Sequence, residues 1–136
     1  MMDKIDEKIL NILEQDGRIS MRNLAKQIPM STPAVSERVR RLEEAGIIEG
    51  YTVRINYKKI GKPIRAYVAV TLGNRPPDDF AKSLKCDPRI RKVDGLSGQP
   101  ALMLQVECRD LEELSDLVDS IKDVAITDTH IVMRPY

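Results

Sequence analysis

The side chains best suited to chemistry in this sequence are concentrated in residues 31–44, STPAVSERVRRLEE. The segment begins with two hydroxyls and a proline and continues with three arginines. On a helical wheel of about 100° per residue, Val35, Val39 and Leu42 share one arc and leave a small, neutral first turn opposite. A slim first turn with hydrogen-bonding groups can enter a major groove, and arginines one turn later can reach phosphates. This pattern predicts a helix that binds double-stranded DNA.

The wheel also assigns a role to each exposed side chain of this helix. We expect Ser36, Glu37 and Arg40 to face bases, and the arginines to reach phosphates. The free amides at the start of the helix also favour a phosphate. The predicted DNA-binding residues are Ser31, Thr32, Pro33, Ala34, Ser36, Glu37, Arg38, Arg40 and Arg41. Taken by itself, the same segment also suits a solvated helix in which Glu37 pairs with Arg41 and Arg40 with Glu44.

Two shorter helical patterns precede this helix and make a helix-turn-helix. Asp3 is a good N-cap for the first, and Ser20 caps a second that Pro29 ends. Thr32 or Ser31 caps the third. A strand-like alternation follows at Tyr51, Val53 and Ile55.

The periodicity divides the chain into three parts. Residues 1–55 are predicted to form a winged helix-turn-helix domain, and residues 56–63, which are polar and basic with a Gly and a Pro, a linker. Residues 64–136 show the order β-α-β-β-α-β, the ferredoxin-like split motif. The predicted fold class is therefore α+β.

One face of the predicted sheet has no helix to cover it. A domain of about 60 residues is marginally stable alone, so association is expected. The uncovered face is too apolar for bare solvent and too polar for a core, which favours contact with a second copy. It carries Ala101 and the predicted homo-oligomer interface, Tyr67, Ala69, Thr71, Met103 and Gln105.

Composition narrows the function classes. Residues 1–62 carry twelve Lys/Arg against nine Asp/Glu, whereas residues 63–136 carry ten against twelve, so the N-terminal half is the side expected to meet an anion. His130 is the sole histidine, and Cys86 and Cys108 are far apart, so we expect no metal site, no cofactor and reduced, buried thiols. We also expect no membrane span and no signal peptide, and a cytoplasmic location.

These motifs resemble the leucine-responsive/asparagine-regulator (Lrp/AsnC, or feast/famine) family of transcription factors over essentially the full chain. The resemblance rests on IDEKILNILEQDGRISMRNLAKQI, on STPAVSERVRRLEEAGIIEGYTVRINYKKIG and on the β-α-β-β-α-β half. It implies a homo-dimer joined through the C-terminal sheets, with assembly to tetramers or octamers. It further implies binding to pseudo-palindromic promoter DNA under control of a small effector.

The expected effector site departs from that family pattern. The family commonly has Gly-x-x-Asp in the turn between the middle strands, whereas SGQPAL keeps Gly98 but has Ala101 in place of the acid. Ala101 offers no side-chain oxygen to an α-ammonium group, so we expect weak or no binding of free amino acids. A tight turn without a ligand is the alternative. The predicted effector-binding residues are Ser97, Gly98, Gln99, Pro100, Ala101, Thr127 and Thr129. The two threonines are included on the condition that they share the uncovered face of the sheet; an ordinary strand surface is the alternative for them.

Two other functions fit the same architecture. Sirohaem decarboxylases resemble it, but their chemistry needs basic and histidine side chains around a tetrapyrrole, and this half has a single histidine. The second is a nucleoid-organising protein that wraps DNA with little sequence preference. The ratio of affinities for a promoter site and for bulk DNA separates that protein from a regulator.

Overall fold

The computed structural model describes residues 1–136, which divide into two compact units, Met1–Arg54 and Ile55–Tyr136. Each unit has its own hydrophobic core. None of the helices combines the length and the apolar character that a membrane span requires.

The first unit is three helices: α1 (Lys4–Gln15), α2 (Met21–Lys26) and α3 (Thr32–Glu44). Each begins at a side chain that accepts hydrogen bonds from the otherwise free amides of the first turn. Asp3 and Ser20 cap as predicted, and Ser31 rather than Thr32 caps α3, accepting from the Ala34 amide at 3.3 Å. The core side chains come from all three helices: Ile9, Leu13, Leu24, Ile28, Val35, Val39 and Leu42.

The strand predicted at residues 51–55 is wrong. No strand forms there, because a strand needs a partner for its amides and carbonyls and every strand of this chain pairs within the second unit. Tyr51, Val53 and Ile55 are exposed. The Tyr51 hydroxyl donates to a Glu43 carboxylate oxygen at 2.8 Å, which ties this irregular segment to α3.

The second unit begins with a short 3-10 helix (Tyr57–Ile60) and then has the predicted order: β1 (Ile64–Thr71), α4 (Pro77–Lys85), β2 (Ile90–Gly95), β3 (Leu102–Cys108), α5 (Leu111–Lys122) and β4 (Ile126–Ile131). The strands form one antiparallel sheet in the order β2-β3-β1-β4. The ferredoxin-like prediction is confirmed.

The pairing register determines which side chains share a face of this sheet. Val68 lies opposite Leu104 on β3, and both belong to the buried core with Leu84, Leu114 and other helix residues. Side chains alternate along a strand, so Tyr67 and its partner Gln105 point to the other face. We call this second side the open face.

The two cysteines differ, which corrects the expectation that both are buried. Cys108 is fully buried at the end of β3, and burial raises the pKa of its thiol to about 11. Cys86 follows the last residue of α4 and is exposed. The sequence did not indicate this difference, because the exposure of Cys86 depends on α4 ending one residue before it.

Arg38, one of the predicted DNA-binding residues, joins α3 to the start of α1 in this structure. Its Nη1 donates to Oδ2 of Asp3 at 2.7 Å and to Oδ1 of Asp6 at 2.9 Å. The Arg38 side chain is 23% exposed and that of Asp6 is 12% exposed. These hydrogen bonds lower the pKa of Asp3 and raise that of Arg38. Arg38 is therefore committed to the fold of the first unit.

We expect Arg38→Gln to lower the free energy of unfolding of the first unit by about 1–3 kcal/mol, because it leaves the buried Asp6 carboxylate without its cation. The control is Arg41→Gln on the same helix, whose side chain is 70% exposed and which should cost less than about 0.5 kcal/mol. Urea unfolding followed by circular dichroism measures both. Because the folded pKa of Asp3 is lowered from 3.8, the contribution of Asp3 to this difference should be full at neutral pH, decline as pH falls below about 4 and be lost as pH falls through the lowered folded pKa. Equal small losses for both variants would contradict this role.

Candidate nucleic-acid interface

The outer face of α3 begins with a small, uncharged turn. Ser31, Thr32 and Pro33 are exposed, and Ala34 and Ser36 are half-buried. The opposite side of the helix is occupied by the core, so only this face is free to meet a ligand. Pro33 near the helix start removes one amide and fixes the backbone without adding bulk.

Charged side chains follow one turn later, and most are paired with each other. Arg40 donates from Nε and Nη2 to the two carboxylate oxygens of Glu37, at 2.9 and 2.6 Å, and from Nη1 to Glu44. Hydrogen bonding from Arg40 lowers the pKa of Glu37 to about 2, so Glu37 stays ionised at neutral pH. These carboxylates occupy three of the five N–H donors of Arg40, including the Nε and Nη2 pair, so a bidentate contact with DNA through that pair requires the loss of Glu37.

Arg41 is the freest of the three arginines on α3. Its side chain is 70% exposed, and its one ion pair is a 3.4 Å contact from Nε to Glu37. Arg22, on α2, is also exposed and makes no ion pair. Arg22 is not among the DNA-binding residues predicted from the sequence, although it lies in the first turn of α2, two residues after the Ser20 cap.

The predicted effector turn is tied to the end of β1. The Ala101 amide donates to the Val70 carbonyl at 2.9 Å, and the Ala101 carbonyl accepts from the Leu96 amide at 2.8 Å. Ser97, Gly98 and Gln99 are exposed, and Gly98 has a φ of 78°, which favours glycine. Pro100 is half-buried and follows a cis peptide bond.

Thr127 and Thr129 do not share a face with the interface residues, so the expectation that they lie on the uncovered face of the sheet is wrong. They lie opposite Val70 and Val68 of β1, on the helix-covered side of the sheet. Their neighbours Ile126, Asp128 and His130 occupy the open face instead.

The open face brings together every residue predicted for the interface. Tyr67 lies opposite Gln105 and is 40% exposed, and Ala69 lies opposite Met103. Thr71 completes this group on β1. Charged pairs flank this centre: Arg65 donates to the buried Glu107 at 2.6 Å, and His130 contacts Asp128 at 3.0 Å.

Comparison with known proteins places this geometry in a family. A winged helix-turn-helix DNA-binding model matches residues 2–49, and the Lrp/AsnC ligand binding domain matches residues 65–136. The HTH-type transcriptional regulator LrpC of Bacillus subtilis is 35% identical over 131 residues, which cover 96% of this chain and 91% of that protein.

Solved structures agree with this assignment. The structure of B. subtilis LrpC superposes with a TM-score of 0.92 at 34% identity and covers 100% of this chain and 97% of that one. The feast or famine regulatory protein from M. tuberculosis, complexed with L-methionine, gives 0.91 at 31% identity, with 100% and 95% covered. With a helix-turn-helix in the first unit and an Lrp/AsnC sheet domain in the second, the chain belongs to the Lrp/AsnC family of DNA-binding transcriptional regulators.

Proposed function

We propose that α3 is the helix of this regulator that enters the major groove and reads its promoter site. The observation that carries this proposal is the slender first turn, in which Ser31, Thr32 and Pro33 are exposed, followed by the exposed Arg40 and Arg41. A bulky or acidic first turn would keep the helix out of the groove. The helix before it in such a motif crosses the DNA backbone, which makes Arg22 a phosphate contact.

Arg40 and Arg41 have different tasks in this proposal. Arg41 binds phosphate, because it gives up only one long contact with Glu37. Arg40 reads a base, because two carboxylates hold its fork until a bidentate acceptor such as a guanine edge replaces them. This exchange favours the specific site over bulk DNA, because bulk DNA does not offer a complete set of acceptors to replace the carboxylates.

We expect Arg40→Ala to cost about 1–3 kcal/mol on the specific site and little on random DNA. Arg41→Ala should weaken binding to both and lower the slope of log affinity against log salt by about one. Fluorescence anisotropy with a site duplex and a scrambled duplex measures this, after genome-wide recovery of bound DNA has supplied the site. Arg109→Ala is the control, because the Arg109 side chain is also 70% exposed but lies in the second unit. Equal losses on both duplexes for both α3 variants would refute the division of roles.

We propose further that the protein is a homo-dimer formed through the open face. The support is physical: the face has an apolar centre, Tyr67, Ala69 and Met103, that no helix of its own chain covers. Association of two copies would bury this centre and place two α3 helices on one pseudo-palindromic site. Assembly to tetramers or octamers belongs to the same proposal.

Tyr67→Glu combined with Met103→Glu should give monomers by light scattering, because each interface would then bury four unpaired carboxylates. The monomers should also bind the full promoter site more weakly, since the two half-sites are no longer linked. Leu111→Glu is the matched control, because Leu111 is 57% exposed on α5, away from the open face. An unchanged molecular mass for the double variant would show that the open face is not the interface.

We propose that the turn Ser97–Ala101 is the part of the chain that meets a small effector. A relative binds L-methionine, but in this chain Ala101 supplies no carboxylate and its amide is already bonded to Val70. The remaining polar groups are those of the exposed Ser97, Gly98 and Gln99, and the Gln99 side-chain amide donates to the Gly73 carbonyl at 3.4 Å. Such a site favours an anion or a neutral group over a zwitterion.

We therefore expect no rise in melting temperature with leucine, asparagine or methionine at millimolar concentration. Binding at a hundred times the dissociation constant would stabilise the folded state by about 2.7 kcal/mol, which a melting assay detects readily. Ala101→Asp is the converse variant and should introduce a shift if neighbouring oxygens complete the site. A clear shift with one natural amino acid on the unsubstituted protein would overturn the proposal.

A further inference from the structure

The second unit has a strongly basic edge that the functions above do not use. Six exposed cations lie on the 3-10 helix, the end of α4 and strand β2. We call this surface the basic edge. Its residues are Lys58, Lys59, Lys82, Lys85, Arg91 and Lys92. Among them only Lys92 has an ion pair, with Asp94 at 3.2 Å, and its position opposite Gln105 places it where the basic edge meets the open face.

Three of these cations line a shallow groove. The groove has a volume of about 400 Å³ and is lined by Lys85, Ile90, Arg91, Lys92 and Val93. Strand β2 is at the end of the sheet, and a bulge makes Arg91 the extra residue between Ile90 and Lys92. A bulged, charged edge resists pairing with another strand. The groove is therefore suited to an anion rather than to an added strand.

Arg91 is held in place without a carboxylate. Its guanidinium carbon lies 5.0 Å from the centre of the Tyr57 ring. A cation over an aromatic face is attracted to the ring and keeps its full charge. The same contact places the 3-10 helix, with Lys58 and Lys59, beside the groove. Arg91 can thus offer its fork to a phosphate with little loss of side-chain freedom.

The charge of the second unit is segregated rather than absent. Residues 55–136 carry thirteen Lys/Arg against twelve Asp/Glu, which is close to neutral. Six of the acids fall within residues 110–123, which include α5. The basic edge therefore keeps a local positive potential that bulk charge conceals, and such a surface attracts a polyanion.

We propose that the basic edge binds the phosphate backbone of duplex DNA that flanks the site read by α3. This rests on the proposed function, because the regulator must first be bound at its site. Contacts of this kind carry no sequence information but add affinity and favour DNA that continues past the site. The second unit then takes part in DNA binding as well as in assembly.

The test uses the full chain with Lys58→Gln, Lys85→Gln and Arg91→Gln combined, which leaves out Lys92 because it lies opposite Gln105 of the open face. Affinity is measured against salt on a duplex that holds the site alone and on duplexes with progressively longer flanks. On the longest duplex the variant should lose about 2–3 from the salt slope for each protomer whose edge contacts the DNA, since each lost phosphate contact removes about 0.9. On the shortest duplex it should match the unsubstituted protein.

The matched control is Arg75→Gln, Arg109→Gln and Lys122→Gln, which removes the same charge from other exposed positions of the second unit. A slope change no larger than in this control, or the same on short and long duplexes, would overturn the proposal. A changed molecular mass without DNA would also overturn it, by identifying the edge as an assembly surface. Arg91→Lys alone should retain most of the binding, because it keeps the positive charge. Failure of the unsubstituted protein to bind the short duplex would instead defeat the proposed function.

Discussion

The ion pair of Arg38 with Asp3 and Asp6 fixes which side of α3 the first unit can show to solvent. Arg38 lies beside the buried stripe of Val35, Val39 and Leu42, and its two carboxylate partners belong to the N-terminal turn of α1. The same Asp3 and Asp6 cap α1, so one cluster both starts that helix and positions α3 against it. Rotation of α3 would cost both the apolar burial and the ion pair. For this reason the slender first turn of α3 and Arg41 remain exposed to solvent.

A comparable constraint governs the second unit. Its helices pack on one face of the sheet, and the residues of the other face have no partner within the chain. The apolar centre of the open face and the positive potential of the basic edge are thus consequences of one topology, in which β2 ends the sheet and both helices pack on the same side. The two surfaces differ in chemistry and so in the partner that each one suits.

The elements that could be predicted from the sequence are those set by local interactions. Caps at Asp3 and Ser20 and the apolar stripe of α3 act over a few residues, and the structure confirms them. The strand at residues 51–55 could not be judged locally, because alternation gives a strand only where a partner exists.

The other features that the sequence did not predict also depend on residues far apart in the chain. Arg38 and Asp3 are separated by 35 positions, so a wheel of α3 alone showed a cation and not its partner. Thr127 and Thr129 are on the helix side because of the register of β4, and one step of register reverses every side chain. Charge totals for each half likewise concealed the basic edge, since its cations come from three elements.

The most direct test of the account is a map of which residues of the first unit touch DNA. A photo-cross-linking amino acid is placed at Thr32 or Arg41 on the outer face of α3, or at Glu14 on α1, and the protein is irradiated on its promoter duplex. All three side chains are exposed, so accessibility alone does not distinguish them. The account predicts cross-links from positions 32 and 41 and none from position 14. Cross-links from position 14 with none from position 32 would contradict it.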